Sequence, residues 1–187
     1  MEQNLETVRL TKEYLGKGVV GLDLAGAEGI VPLSNFHPIF DLAKELAVPF
    51  TCHAGDSQGP DTVRDALNFG TKRIGHGHHI YDDPSLWQRA IDDQVTLEIC
   101  PTSNIQCRTQ PSFKEHPAKK LFDAGVRVCI STDNMALANT DLDTEYRHCI
   151  EEMGFTEEDL VQMNIYAAEA AFMDEETRKK ILSKFHK

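Results

Sequence analysis

The chain has 187 residues, with 19 lysines and arginines against 30 aspartates and glutamates, for a formal charge of −11. Its basic residues are dispersed, the densest groups being Lys119-Lys120 and Arg178-Lys179-Lys180, so no stripe tracks a phosphate backbone and nucleic acid is not an expected partner. No run approaches the roughly 18 apolar residues of a membrane span, and the opening MEQNLETVRLTKEYLGKG is charged throughout, unlike a signal peptide; the expectation is a soluble, cytoplasmic protein without a membrane partner.

In chain order, the first segment (LETVRLTKEYLGKG) has helical periodicity and ends on Gly16 and Gly18. Strand-length apolar runs then alternate with helical patterns. VVGLDL (19–24) precedes PIFDLAKELA (38–47), VPFTC (48–52) precedes PDTVRDALNFG (60–70), and RIGHG (73–77) precedes DPSLWQRAIDDQ (83–94). VTLEIC (95–100) precedes HPAKKLFDAG (116–125), and VRVCIS (126–131) precedes DTEYRHCIEEMG (143–154). Prolines 38, 60, 84 and 117 fall in the first turns of these helices, where a missing N–H costs nothing, and Gly70, Gly125 and Gly154 fall at their ends. Two further helices follow, 156–172 with Thr156 as N-cap and Asp159 completing a capping box, and 174–185. Cys52, Cys100 and Cys129 lie inside strands and, with no CxxC in the chain, read as reduced core residues.

Five βα units with strands apolar on both faces predict an α/β fold with a parallel sheet. Five strands do not close an eight-stranded barrel, and 187 residues fall short of the roughly 250 of a complete one. The opening helix reads as the tail of an earlier unit. The expected architecture is therefore a partial (β/α)8 barrel, with residues 1–187 its carboxyl-terminal portion; the alternative is an independently folding five-stranded sheet. An incomplete barrel leaves the first and last strands as apolar open edges, which predicts self-association.

Each strand ends on residues suited to chemistry, and the carboxyl ends of parallel strands face one way. His53-Ala-Gly-Asp56 offers an imidazole, a tight turn and a carboxylate, suited to a metal ligand beside a proton donor; a hydrogen-bonded histidine and a loop-capping aspartate would look the same. Gly75-His76-Gly77 presents a potential general base between glycines that admit a substrate. Asp133, in STDN, is a candidate metal ligand or a plain turn residue. His78 and His79 read as a solvated loop, and histidines 37, 116 and 148 as ordinary helix residues.

Taken together, DLAGAEG, HAGD followed by GP, RIGHG, EICPTSNIQ and STDN, with MGFTEEDL and NIYAAEAAF downstream, resemble the adenosine deaminase family of metal-dependent hydrolases, its bacterial members in particular. The resemblance implies one Zn2+ per complete site and hydrolysis of the 6-amino group of adenosine, or of adenine or a related purine, with release of ammonia. By position it implies His53 and Asp133 as metal ligands and His76 as the group that orients and deprotonates water. It further implies Asp56 as proton donor to the ring, Gly26 as a backbone donor to the purine and Asn134 as a contact to its imidazole half. Such a reaction needs an acidified water with a base and an acid on opposite faces of the attacked carbon, and these residue types suit it. The nucleic-acid deaminase pattern H-x-E with P-C-x-x-C is absent. Three positions depart from the family. No HxH pair precedes Val19, Asp56 stands where glutamate is common, and Asn134 stands where many members have aspartate. A non-catalytic barrel fragment serving as an assembly partner is the competing expectation.

Overall fold

The computed structural model of the protein describes residues 1–185. Five strands form one all-parallel sheet in sequential order: β1 (Leu22–Leu24), β2 (Phe50–Ala54), β3 (Arg73–His76), β4 (Thr96–Ile99) and β5 (Arg127–Ile130). Helix α1 (Glu2–Tyr14) precedes the sheet, and the crossovers carry α2 (His37–Glu45), α3 (Pro60–Phe69), α4 (Pro84–Asp92), then α5 (Pro101–Gln106) with α6 (Ala118–Asp123). After β5 come the single-turn α7 (Met135–Ala138), α8 (Leu142–Glu151), α9 (Glu157–Ala170) and α10 (Glu175–Leu182). The architecture is the partial βα barrel expected, with β1 and β5 each paired on one side only.

The punctuation read from the sequence acts as expected. Pro60 and Pro84 open α3 and α4, Gly70 ends α3 in the left-handed region, and Thr156 and Asp159 form the reciprocal capping box of α9. Most elements come out shorter than their patterns, and two of them show a local cause. Val19 makes only a lone bridge to Leu15, leaving β1 with three residues. Helix α6 starts at Ala118, whose N–H donates to His116 Nδ1 at 3.2 Å, so this histidine ends the preceding loop instead of beginning the helix.

The strands are not apolar on both faces. By alternation, Cys52, Ala54, Ile74, Leu97, Ile99, Val128 and Ile130 are buried in the core, where α3, α6 and α9 pack on the sheet. The other face carries an exposed Asp23 and half-buried His53, Arg73 and Glu98, with an Arg73–Glu98 ion pair between β3 and β4. In a closed barrel this polar face lines the interior; short strands hid it because two or three polar residues per face scarcely interrupt an apolar run. Residues His53, Gly75, Glu98 and Cys129 lie side by side across β2 to β5, which fixes the register of the rim above them. Behind the sheet, Phe40 and Phe69 stack with centroids 4.3 Å apart and join α2 to α3.

Candidate active site

His53 stands near the carboxyl end of β2, and its Nδ1 lies 3.1 Å from the Asp23 carboxylate on β1. That hydrogen bond raises the imidazole pKa, opposed by partial burial. The ring fits because residue 75 on the neighbouring strand has no side chain: a Cβ on Gly75 would lie 2.9 Å from His53 Cγ. The first glycine of RIGHG therefore admits a histidine, where the sequence reading had it admit a substrate.

The loop after β2 wraps a carboxylate missed in the sequence. Glu28, from the DLAGAEG segment, accepts the backbone N–H of Gly55 (2.7 Å), Asp56 (2.9 Å), Ser57 (2.7 Å) and Gln58 (3.1 Å), and the Thr62 hydroxyl at 3.0 Å. Four successive N–H groups converging on one anion form a backbone nest. It fixes the conformation from which Asp56 projects.

Asp56 Oδ1 accepts the Asn104 amide at 2.8 Å, and the same Asn104 Nδ2 lies 3.1 Å from His76 Nδ1. Asp56 and His76 thus come within 3.6 Å of each other, and the His76 ring lies 5.2 Å from that of His53, centroid to centroid. His76 is 5 % exposed; burial lowers its pKa, partly offset by Asp56. Its φ is +62°, in the left-handed region, which breaks the strand alternation where its side chain leaves the sheet. Three expected residues, His53, Asp56 and His76, are therefore brought together, and Asn104 of the TSN segment is added to them.

Asp133 ends the β5 rim with φ +55°, and its Oδ2 accepts the Ser103 hydroxyl at 2.7 Å. Asn134 is the N-cap of α7: its Oδ1 accepts the Leu137 N–H at 3.1 Å, leaving the amide nitrogen for any ligand. Gly26 is exposed and lines a cavity of about 500 Å³ with Leu24, Glu28, Ile30, Phe36, His53 and Thr62. Glu145 on α8 is fully buried and holds the rim from below, accepting the Thr102 N–H at 3.1 Å and the Thr140 hydroxyl at 2.7 Å.

Two histidines differ from their sequence readings. His78 is completely buried, not solvated, in a 3-10 turn over His78–Asp82 that packs on α3; its ring sits among those of His79 and His116, and burial pushes its pKa down to about 2. His116 is 4 % exposed and depressed to about 3 by burial, and its Nε2 lies 3.2 Å from Asn104 Oδ1. His79 is half-buried and pairs with Asp82 as a loop histidine would, while His37 and His148 make surface i,i+4 pairs with Asp41 and Glu152. A doublet of histidines after a glycine carries no signal of which ring faces inward.

Among the described residues no three His, Cys, Asp or Glu side chains converge as a metal site. His53 and Asp133 nonetheless suit zinc in kind. An imidazole whose Nδ1 is backed by a carboxylate, with Nε2 left free, is the arrangement metal-binding histidines use. Two donors fall short of the three protein ligands usual in a catalytic zinc site.

The profile of the adenosine deaminase family matches residues 1–187. The chain belongs to the adenosine deaminase family. Among curated members of the family it is 39 % identical over 183 residues to the adenosine deaminase of Haemophilus ducreyi, covering 96 % of the chain and 53 % of that relative. It is 38 % identical over 186 residues to the adenine deaminase of Sinorhizobium medicae, covering 97 % and 57 %. Its fold matches that of an amidohydrolase from Burkholderia ambifaria, solved with bound zinc, at a TM-score of 0.90 and 23 % identity, over 99 % of the chain and 52 % of that structure. The chain spans about half the length of the relatives it matches.

Proposed function

We propose that the deaminase of which this chain forms the carboxyl-terminal half removes the 6-amino group of adenosine by zinc-assisted hydrolysis, giving inosine and ammonia. The observation that carries the reading is the convergence at one rim of a carboxylate-backed imidazole, His53, with the Asp56–Asn104–His76 cluster 5.2 Å away. Family membership and the zinc-bearing amidohydrolase support it. Adenine is the second candidate substrate, because the chain is almost as similar to an adenine deaminase as to an adenosine deaminase.

In this reading His53 and Asp133 hold the ion together with ligands from the rest of the barrel. When bound, zinc lowers the pKa of a water from about 15.7 toward about 7. His76 orients the attacking water. Asp56 donates a proton to the ring nitrogen beside the attacked carbon, which requires that contact with the base and desolvation keep the carboxyl protonated at that moment. Gly26 offers its backbone N–H to the purine from the cavity wall, and Asn134 its amide nitrogen. The ligand is a small purine.

The intact deaminase carrying Asp56→Asn should keep its zinc and lose most of kcat, because an acid is removed without touching a ligand. Near-normal turnover would remove Asp56 from the mechanism. Comparing adenosine with adenine as substrate in the same preparation decides between the two readings. The 187-residue chain by itself should retain well under one zinc per molecule after dialysis; a stoichiometric ion would mean that it completes the sphere with side chains other than those named here.

A further inference from the structure

We propose that Asn104 and His116 act as positioning residues in a one-way hydrogen-bond relay that holds neutral His76 in the tautomer with its proton on Nε2. The assignment starts from two groups, one at each end, that have no choice of role. At one end the Ala118 N–H can only donate, and it lies 3.2 Å from His116 Nδ1. That nitrogen must be bare, so a neutral His116 carries its proton on Nε2. This N–H faces Asn104 Oδ1 at 3.2 Å, which fixes the carbonyl side of the amide.

At the other end Asp56, ionised in the absence of a purine, can only accept, and its Oδ1 lies 2.8 Å from Asn104 Nδ2. It fixes the amino side of the same amide. The two ends, unconnected except through Asn104, demand the same orientation. The second amide hydrogen then has His76 Nδ1, at 3.1 Å, as its acceptor, and an accepting Nδ1 places the proton of a neutral ring on Nε2. Direct pairing of His76 with Asp56 does not compete, since 3.6 Å is too long for a hydrogen bond. Asn104 is 0 % exposed, so no bulk water substitutes for either partner.

The consequence for the reaction rests on the deaminase reading and narrows it. A neutral His76 in this tautomer presents a donor at Nε2, so it orients a water or hydroxide by donating, and it takes a proton at Nε2 only if Asn104 turns over. The tautomer itself stands or falls independently of what the protein catalyses.

The test is long-range 1H–15N correlation spectroscopy on the uniformly 15N-labelled chain at pH 8, with the His76 signals assigned by their loss in His76→Asn. The expected wild-type result is a proton-bearing Nε2 and a bare Nδ1 on both His76 and His116. A proton-bearing Nδ1 on either ring overturns the relay. In Asn104→Leu, the nearest acceptor left to His76 Nδ1 is Asp56, and the ring should change to the Nδ1–H tautomer. An unchanged tautomer in that variant means Asn104 does not set it. Should Asn104→Leu fail to fold, the wild-type spectra of the two rings decide alone.

Discussion

The middle and the flanks of the rim are built differently. Above β2, β3 and β4 a chain of side chains is fastened: four backbone N–H groups of the β2 loop hold Glu28, Asn104 bridges Asp56 and His76, and His116 backs Asn104. Above β1 and β5 the loops are more open, with Ile30 79 % and Leu137 82 % exposed, although Glu28 reaches from the β1 loop into the β2 loop and Asp133 is held by Ser103. The cluster of Asp56, His76 and Asn104 is pre-organised within this chain, whereas the loops that follow β1 and β5 stand at the two open edges of the sheet.

The sharpest way to break this comparison is acid, because the middle of the rim is backed by buried neutral histidines. His78 and His116 have folded pKa values of about 2 and about 3, below the unfolded value of about 6.5. A depressed folded pKa means that the unfolded chain binds protons first. Stability is therefore intact above about pH 6.5 and falls as the pH drops toward the folded values. Between about pH 6.5 and 5 each histidine should cost about 1.6 kcal/mol, roughly 3 together. Urea titrations across this range should show the loss, and His78→Leu should remove about half of it; a flat profile would mean that the imidazoles are reached by water.

Next in size is Glu28→Ala, which strands the N–H groups of the loop carrying Asp56. It should destabilise the chain by about 3 kcal/mol in urea titration, as loss of a charged multidentate acceptor does. An effect under about 0.5 kcal/mol would show that the loop holds its shape unaided. Gly75→Ala should cost roughly 1–3 kcal/mol, since its methyl would overlap the His53 ring, and should shift the His53 NMR signals before those of residues beyond van der Waals reach. At the flanks, Leu137→Ser should change stability by less than about 0.5 kcal/mol. The same variant should weaken self-association in sedimentation analysis, if the exposed β5 side is where copies meet; an unchanged association constant would move the contact to β1.

Much of this was legible in the sequence, for physical reasons that differ by residue. The strand runs and their order were, because each run buries alternate residues and the prolines and glycines punctuate the helices. The meeting of His53, Asp56 and His76 at one rim was, because strand ends in a parallel sheet face one way. What stayed hidden depends on partners distant in the chain. Glu28 was not singled out, since the N–H groups it holds are 27 to 30 residues away. Asn104 went unassigned within its motif and His116 read as a helix residue, because their roles exist only through the Asp56 and Ala118 contacts. The polar sheet face went unseen because strands of three to five residues give alternation too little length to register.

The left-handed backbone at His76 and Asp133 sets folding against the chemistry proposed for them. Each residue accepts a conformation that costs an ordinary L-amino acid roughly 1–2 kcal/mol and costs glycine nothing. A search of random variants for greater thermal tolerance would therefore find relief at these two positions by deleting the side chains that the proposed reaction uses. Stabilising substitutions compatible with catalysis must come from elsewhere, and the solvent-facing sides of α1 and α10, which bear none of the rim, are the natural places to look.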